Sequence, residues 1–158
     1  MNTQCPWLDM DWINHTQLML DSFRHALGYD LVSRKNTCEL QAKYLFKAPL
    51  IIVSHDTQLD PVLNYGNQAA LDLWEMDLPN LLVTPSRKTA EPIHRDERAL
   101  LMERTRKHGY VDDYQGMRIS NTGRRFWIET AIVWNLYSSS GCYAGQAATF
   151  SRWNYSDI

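Results

Sequence analysis

The strongest constraint on the fold lies between residues 110 and 150. Two polar turns ending in glycine, Ser120-Asn121-Thr122-Gly123 and Ser138-Ser139-Ser140-Gly141, divide this stretch into three runs of alternating apolar and polar residues. Consecutive hairpins of this kind predict a three-stranded antiparallel meander, with strands over 110–119, 124–136 and 142–150. Because side chains alternate across a strand, Phe126, Ile128, Thr130, Ile132 and Trp134 are expected on one face of the longest strand, and Trp127, Glu129, Ala131, Val133 and Asn135 on the other. The first set makes the better core. The second is only partly polar, so the outer face needs cover from elsewhere in the chain or from another subunit. Register set from the Gly123 turn directs Tyr114, Gly116 and Arg118 inward.

The preceding segments change period at about Pro49. Upstream, Ile13, Gln17, Leu20, Phe23 and Leu27 recur at helical spacing, with Trp12 and Met19 widening the stripe and Gly28 placed to stop the helix. Asn36 and Glu39 have capping-box spacing for a second helix that buries Leu40, Tyr44 and Leu45. Downstream, Leu50-Ile51-Ile52-Val53 reads as a buried strand with a hairpin partner over 62–65. Asn67 is positioned to cap a short helix burying Ala70, Leu71 and Trp74, and Pro92 to open a longer one that Ile93, Leu100, Leu101 and Arg104 continue and Gly109 ends. The expected organisation is an N-terminal helical extension over 1–48, an α+β domain over 49–152 and a tail over 153–158.

At 158 residues, with 44% apolar and 22% charged residues, the chain is sized and composed for one globular domain. A formal charge of −2 provides no general attraction to nucleic acid. The local cluster of Arg118, Arg124 and Arg125 reads as a solvated hairpin tip. No run is long and apolar enough to span a bilayer, and no secretory leader is visible. Cys5, Cys38 and Cys142 are widely spaced and odd in number, which predicts reduced thiols in a cytoplasmic protein. The five histidines show no metal-ligand spacing, and the His94-Arg95-Asp96 phrase lacks the asparagine a kinase loop needs, Leu101 standing in its place.

The order strand, strand, short helices, longer helix, three antiparallel strands resembles the PAS topology: a five-stranded antiparallel sheet with helices on one face. More specifically, the phrases IIVSHDTQLDP, LNYGNQAALDLWEMD, PSRKTAEP, ERALLMERTRKHGYVDDYQGMRISNTGRRF and AIVWNLYSSSGCYAGQAATF are similar to the MEKHLA domain family, a PAS-related group. The chain resembles its stand-alone bacterial members, including their helical leader. The resemblance implies a sensory or regulatory module and specifies no ligand or cofactor. Flavin-binding relatives carry a cysteine in an Asn-Cys-Arg phrase that none of the three cysteines here occupies. Haem-binding relatives use a histidine near the long middle helix, where His94 and His108 lie.

The PAS analogy puts Ile128, Thr130 and Trp134 on the wall of a cavity. Arg118 beside them is either a clamp for a carboxylate-bearing ligand or the partner of Glu91, Glu129 or Asp113, because a sheltered arginine needs a counter-charge. Arg87 and Glu91 lie where PAS pockets open, and their spacing also suits a local ion pair. Trp74, Tyr114 and Trp134 either sandwich a planar ligand or fill the core. The functional expectation is a non-enzymatic module that binds a small ligand, forms a homodimer through its N-terminal helices and sheet, and signals to a separate protein. Alternatives are a haem sensor, a structural adaptor with a filled core, and a small isomerase or hydrolase with Asp113, Glu129 or His55 as its acid or base.

Overall fold

The computed structural model describes residues 1–91 and 94–156. Pro92 and Ile93, expected at the opening of the long helix, lie outside them. A short 3-10 turn, Pro6–Leu8, leads into helix α1 (Met10–Leu27). Asp9 caps α1 through the Asp11 amide, and Gly28 ends it at φ 83°, a conformation open to glycine because no Cβ clashes. Helix α2 (Cys38–Lys47) is capped by the Thr37 hydroxyl rather than by Asn36.

The start of α2 also differs in which face it buries. Leu40 and Tyr44 are exposed, while Gln41, Ala42, Leu45 and Phe46 are buried. Gln41 makes this tolerable. Its amide donates to the carbonyls of Arg34 and Asn36, and its oxygen accepts from Gln17 and Arg34. A buried polar group with all its bonds made loses little on leaving water.

Strands β1 (Ile51–His55) and β2 (Leu63–Gly66) pair antiparallel. They are followed by helices α3 (Gln68–Trp74) and α4 (Leu78–Leu81), a 3-10 turn over Ser86–Thr89, and helix α5 (Arg95–His108). The meander is β3 (Tyr110–Ile119), β4 (Arg125–Tyr137) and β5 (Tyr143–Phe150). The sheet order is β2-β1-β5-β4-β3, antiparallel throughout.

A sixth strand, β6 (Arg152–Ser156), replaces most of the expected tail. It continues β5 on the same register of β4: Ile132 faces Thr149, and Glu129 faces Arg152. The last strand is therefore one long ribbon stepped at Ser151. It leaves β1 after Phe150 and follows β4 to its start.

The sheet is covered on both sides. Helices α1 and α2 lie over the outer face, where Trp12, Met19, Phe23, Leu45 and Phe46 share a core with Ile52, Trp134 and Leu136. Part of the cover expected from the N-terminal helices is thus supplied within the chain, over Ile132, Trp134 and Leu136, whereas Trp127, expected on the covered face, stays exposed and Val133 joins the inner core. Helices α3 and α5 close the inner face over Ile51, Val111, Phe126, Ile128, Ala131, Val133 and Phe150. Asn67 ties these layers together. Its oxygen accepts from the Ile52 and Ala70 amides, and its Nδ2 donates to the Leu45 and Leu50 carbonyls.

The alternation read along β4 breaks at Thr130. Going up the strands from the Gly116–Ile128 pair to the Tyr114–Ala131 pair, β4 takes three steps where β3 takes two. The extra residue is a bulge, with Thr130 at φ 48°. Beyond it every side chain of β4 changes face, so Ala131 and Val133 point inward while Ile132, Trp134 and Leu136 point to α1. Strand β3 restores the register with its own extra residue at Asp112–Asp113, between the Tyr114–Ala131 and Val111–Val133 pairs.

Candidate functional site

Between the inner face and α5 lies a cavity of about 80 Å³, walled on its apolar side by Trp74, Leu101, Ile128, Ala131, Val133 and Phe150. Its polar lining is Ser54, His55, Ser86, Thr89, Arg98, Arg118 and Gln146, with Tyr114 between the two sets. Helix α5 is held over this space by amide side chains from the sheet. Asn135 Nδ2 donates to the Thr105 and Arg106 carbonyls, and Gln146 Nε2 to the Met102 carbonyl.

Four of the eight expected site residues line the cavity: Trp74, Tyr114, Arg118 and Ile128. The other four do not. Thr130 is exposed at the bulge. Trp134 belongs to the opposite face, where its indole donates to the Met19 carbonyl at 3.2 Å and meets Phe23 edge-on. The planar sandwich of Trp74, Tyr114 and Trp134 is therefore ruled out by the bulge. Arg87 and Glu91 do not pair with each other; Arg87 meets Asp60 at 3.2 Å and Glu91 meets Arg125 at 2.5 Å. The Arg125 guanidinium holds the Glu91 carboxyl below its ordinary range. From that same segment, Ser86 and Thr89 line the cavity instead.

Arg118 and Arg98 define the site's electrostatics. They are 7% and 9% exposed, and neither forms an ion pair among the described residues. None of the three carboxylates offered as partners for Arg118 is at the cavity: Glu91 serves Arg125, Asp113 is exposed on β3, and Glu129 accepts from Asn154. Instead Arg118 donates to the Met117 carbonyl at 2.9 Å and lies 5.2 Å from the Tyr114 ring centre. Arg98 donates to the Ser86 hydroxyl. Burial, reinforced by the Arg118 charge, lowers the Arg98 pKa to about 10. Two guanidinium groups thus share one sheltered space with no carboxylate among its described lining residues, the Asp60 carboxylate acting on Arg98 only from outside that lining, an arrangement that structures normally avoid.

The remaining polar groups add donors. The Tyr114 hydroxyl and Trp74 Nε1 are buried with no hydrogen-bond partner among the described residues, the Arg118 guanidinium lying near the phenol but outside hydrogen-bond geometry. Burial raises the Tyr114 pKa, so the phenol keeps its proton. The ring is seated over Gly116, where a Cβ would fall 2.0 Å from the phenol oxygen. His55 donates from Nδ1 to the Asp56 carbonyl at 2.9 Å, and burial lowers its pKa, which keeps it neutral. The Gln146 oxygen faces it too loosely for a hydrogen bond. No Asp, Glu or Cys is among the described residues that line the cavity, and His94 and His108 do not line it either.

Sequence reasoning missed Arg98, which lies in the charged phrase of α5 and reads there as a solvated face. A signal was present: Arg98, Leu101 and Thr105 recur at helical spacing and form the buried face of α5.

The family model of the MEKHLA domain matches residues 13–155. The chain belongs to the MEKHLA domain family. The match includes most of helix α1, consistent with the core that α1 shares with the sheet. Among solved structures, a PAS domain from Colwellia psychrerythraea is similar at TM-score 0.61 and 16% identity, over 76% of this chain and 95% of that one. A light-oxygen-voltage domain studied with a flavin analogue is similar at TM-score 0.57 and 17% identity, over 73% of this chain and 84% of that one. An RNA-binding light-oxygen-voltage receptor matches at TM-score 0.59 and 17% identity, over 78% of this chain and 35% of that one. These likenesses establish the PAS-like fold of the MEKHLA domain. No curated protein matches the chain. Among the described residues, no helix is long and apolar enough to cross a membrane.

Proposed function

We propose that this MEKHLA domain is a non-enzymatic sensory or regulatory module that takes up a small molecule in the cavity beneath α5 and reports its occupancy to a separate protein. The observation that carries this reading is the pair of buried arginines facing a cavity without a carboxylate. A core built only for stability would fill that space with apolar side chains. The amide tethers from Asn135 and Gln146 to α5 offer a physical route for the signal, because a ligand pressing on Leu101 or Arg98 loads those hydrogen bonds directly. A second depression of about 320 Å³ outside the cavity shares His55, Met102 and Gln146 with it, so these three residues form the wall a ligand would pass.

The site favours binding over turnover. Among the described residues on the lining, His55 alone has an ordinary pKa near neutrality, and it has no carboxylate partner there to orient it for acid–base work. Dimerisation in the cytoplasm belongs to the same proposal, but it needs a surface other than the apolar stripes of α1 and α2, which already face the sheet. Leu8, Met10, Leu40 and Tyr44 are among the exposed apolar residues of the helical leader. Native mass spectrometry of protein purified from its own host tests the proposal: a bound small mass released on denaturation is expected, and repeated recovery of the bare chain, with no small molecule protecting the Leu101 amide from hydrogen exchange, argues against it. Sedimentation that shows only monomer at high micromolar concentration refutes the dimer.

A further inference from the structure

Apart from the Gln146 oxygen, neutral His55 and the Ser54, Ser86 and Thr89 hydroxyls, each already hydrogen-bonded, the polar side-chain groups of the described lining residues are hydrogen-bond donors. Arg98 and Arg118 bring delocalised cations, the Tyr114 hydroxyl and Trp74 Nε1 bring further protons without acceptors, and no carboxylate lies among the described lining residues. Such a lining is the complement of an anion. Guanidinium groups match a planar carboxylate in particular, because their parallel N–H bonds meet its two oxygens in one plane.

The other wall decides what the anion carries. Leu101, Ile128, Ala131, Val133 and Phe150 are aliphatic or aromatic and offer no hydrogen bond from their side chains. A fully hydrated tetrahedral anion would lose water against that wall with nothing in return, whereas an alkyl group gains by burial there. Size sets the last limit. A 150 Å³ apolar cavity admits benzene, and this one is about half as large, so the tail is restricted to very few carbons.

We infer that the cavity is a receptor site for a short-chain monocarboxylate of about two to four carbons, its carboxylate clamped between Arg98 and Arg118 and its alkyl end against Leu101, Ile128 and Val133. This rests on the reading of the cavity as a ligand site and names the chemical class of ligand. Tyr114, whose phenol occupies the space a Cβ at Gly116 would take, supplies the third donor. The two arginines then gain a counter-charge inside the cavity, where the described lining residues offer none.

The test is a titration of the full chain, dialysed free of carboxylates, with acetate, propionate and butyrate, using propionamide and inorganic phosphate as comparisons. The methyl resonances of Ile128, Leu101 and Val133 are the readout. Propionate is expected to shift them saturably and propionamide is not. Arg118→Met and Arg98→Met are each expected to weaken propionate by about tenfold or more, the loss of a charge-assisted pair. Arg98→Lys and Arg118→Lys provide folded alternatives that keep the charge without the paired geometry, and an intermediate loss is expected. Propionamide binding as tightly as propionate overturns the anion assignment but leaves the cavity as a ligand site. Phosphate binding in preference to all three acids overturns the carboxylate class alone. Failure of every probe to move the three methyl groups overturns both the inference and the reading beneath it.

Discussion

Replacing Arg98 with methionine should make the ligand-free protein more stable. A buried arginine that served the fold would have a carboxylate, and its loss would be severe. Arg98 has none within ion-pair distance among the described residues, and burial together with the Arg118 charge brings its pKa down to about 10. At about 1.4 kcal/mol per tenfold change in acidity, holding the cation there costs on the order of 3 kcal/mol. Methionine retains most of the aliphatic stem, so packing against Leu101 is largely preserved. The Ser86 hydroxyl loses its donor, which gives back about 1 kcal/mol. The net expectation is a gain of about 1–2 kcal/mol, or roughly 2–6 °C in Tm for a chain of this size. The sign has a pH signature. Because the folded-state pKa is depressed, the penalty acts at every pH below about 10 and fades as pH rises beyond it, so the advantage of the variant should shrink in that range. Urea denaturation followed by tryptophan fluorescence in carboxylate-free buffer measures it. A loss of about 2 kcal/mol or more would refute the reasoning, because it would make Arg98 a paired structural residue.

Other expectations test separate parts of the structure. His15 projects from α1 toward β1, its Nε2 2.8 Å from the Ser54 hydroxyl, and burial lowers its pKa to about 4. Its stabilising contribution is complete above the ordinary histidine range and is lost as pH falls from about 6.5 toward 4, so denaturation midpoints should fall between pH 7 and 5 by about 1–2 kcal/mol, and His15→Gln should flatten that slope. Gly116→Ala should dislodge the Tyr114 ring and cost about 1–3 kcal/mol, with shifted Tyr114 and Ile128 resonances; an unchanged spectrum would exclude the seating described here. Gly145→Ala places a Cβ 1.9 Å from the His55 carbonyl oxygen at a φ of 119°, and it should prevent β5 from closing on β1, seen as loss of soluble folded protein. Thr130→Gly should relieve the positive φ of the bulge and raise stability by about 0.5–1 kcal/mol in thermal melts.

Much of the architecture could be read from residue order because its signals are local. The Gly123 and Gly141 turns, the Asn67 cap and the Gly28 stop each act within a few residues, and each is found where the sequence places it. The inward set of β3, Tyr114 and Arg118, followed from counting back from one turn over a stretch without a bulge. The same counting failed along β4. A single inserted residue at Thr130 reverses every later side chain, and nothing in Glu129-Thr130-Ala131 marks a bulge when it is read as a strand.

What the sequence determined unaided is the antiparallel meander, the helical leader and the family, since periodicity, turn chemistry and long phrases are properties of the chain. Tertiary structure alone decided which side of β4 faces the cavity, that α1 rather than a second subunit covers Trp134, and that the step at Ser151 extends the sheet. It also decided the site. Arg98 and Arg118 are brought into one shelter by the packing of α5 on β3, and whether a charge has a partner depends on distances in space that sequence separation does not encode.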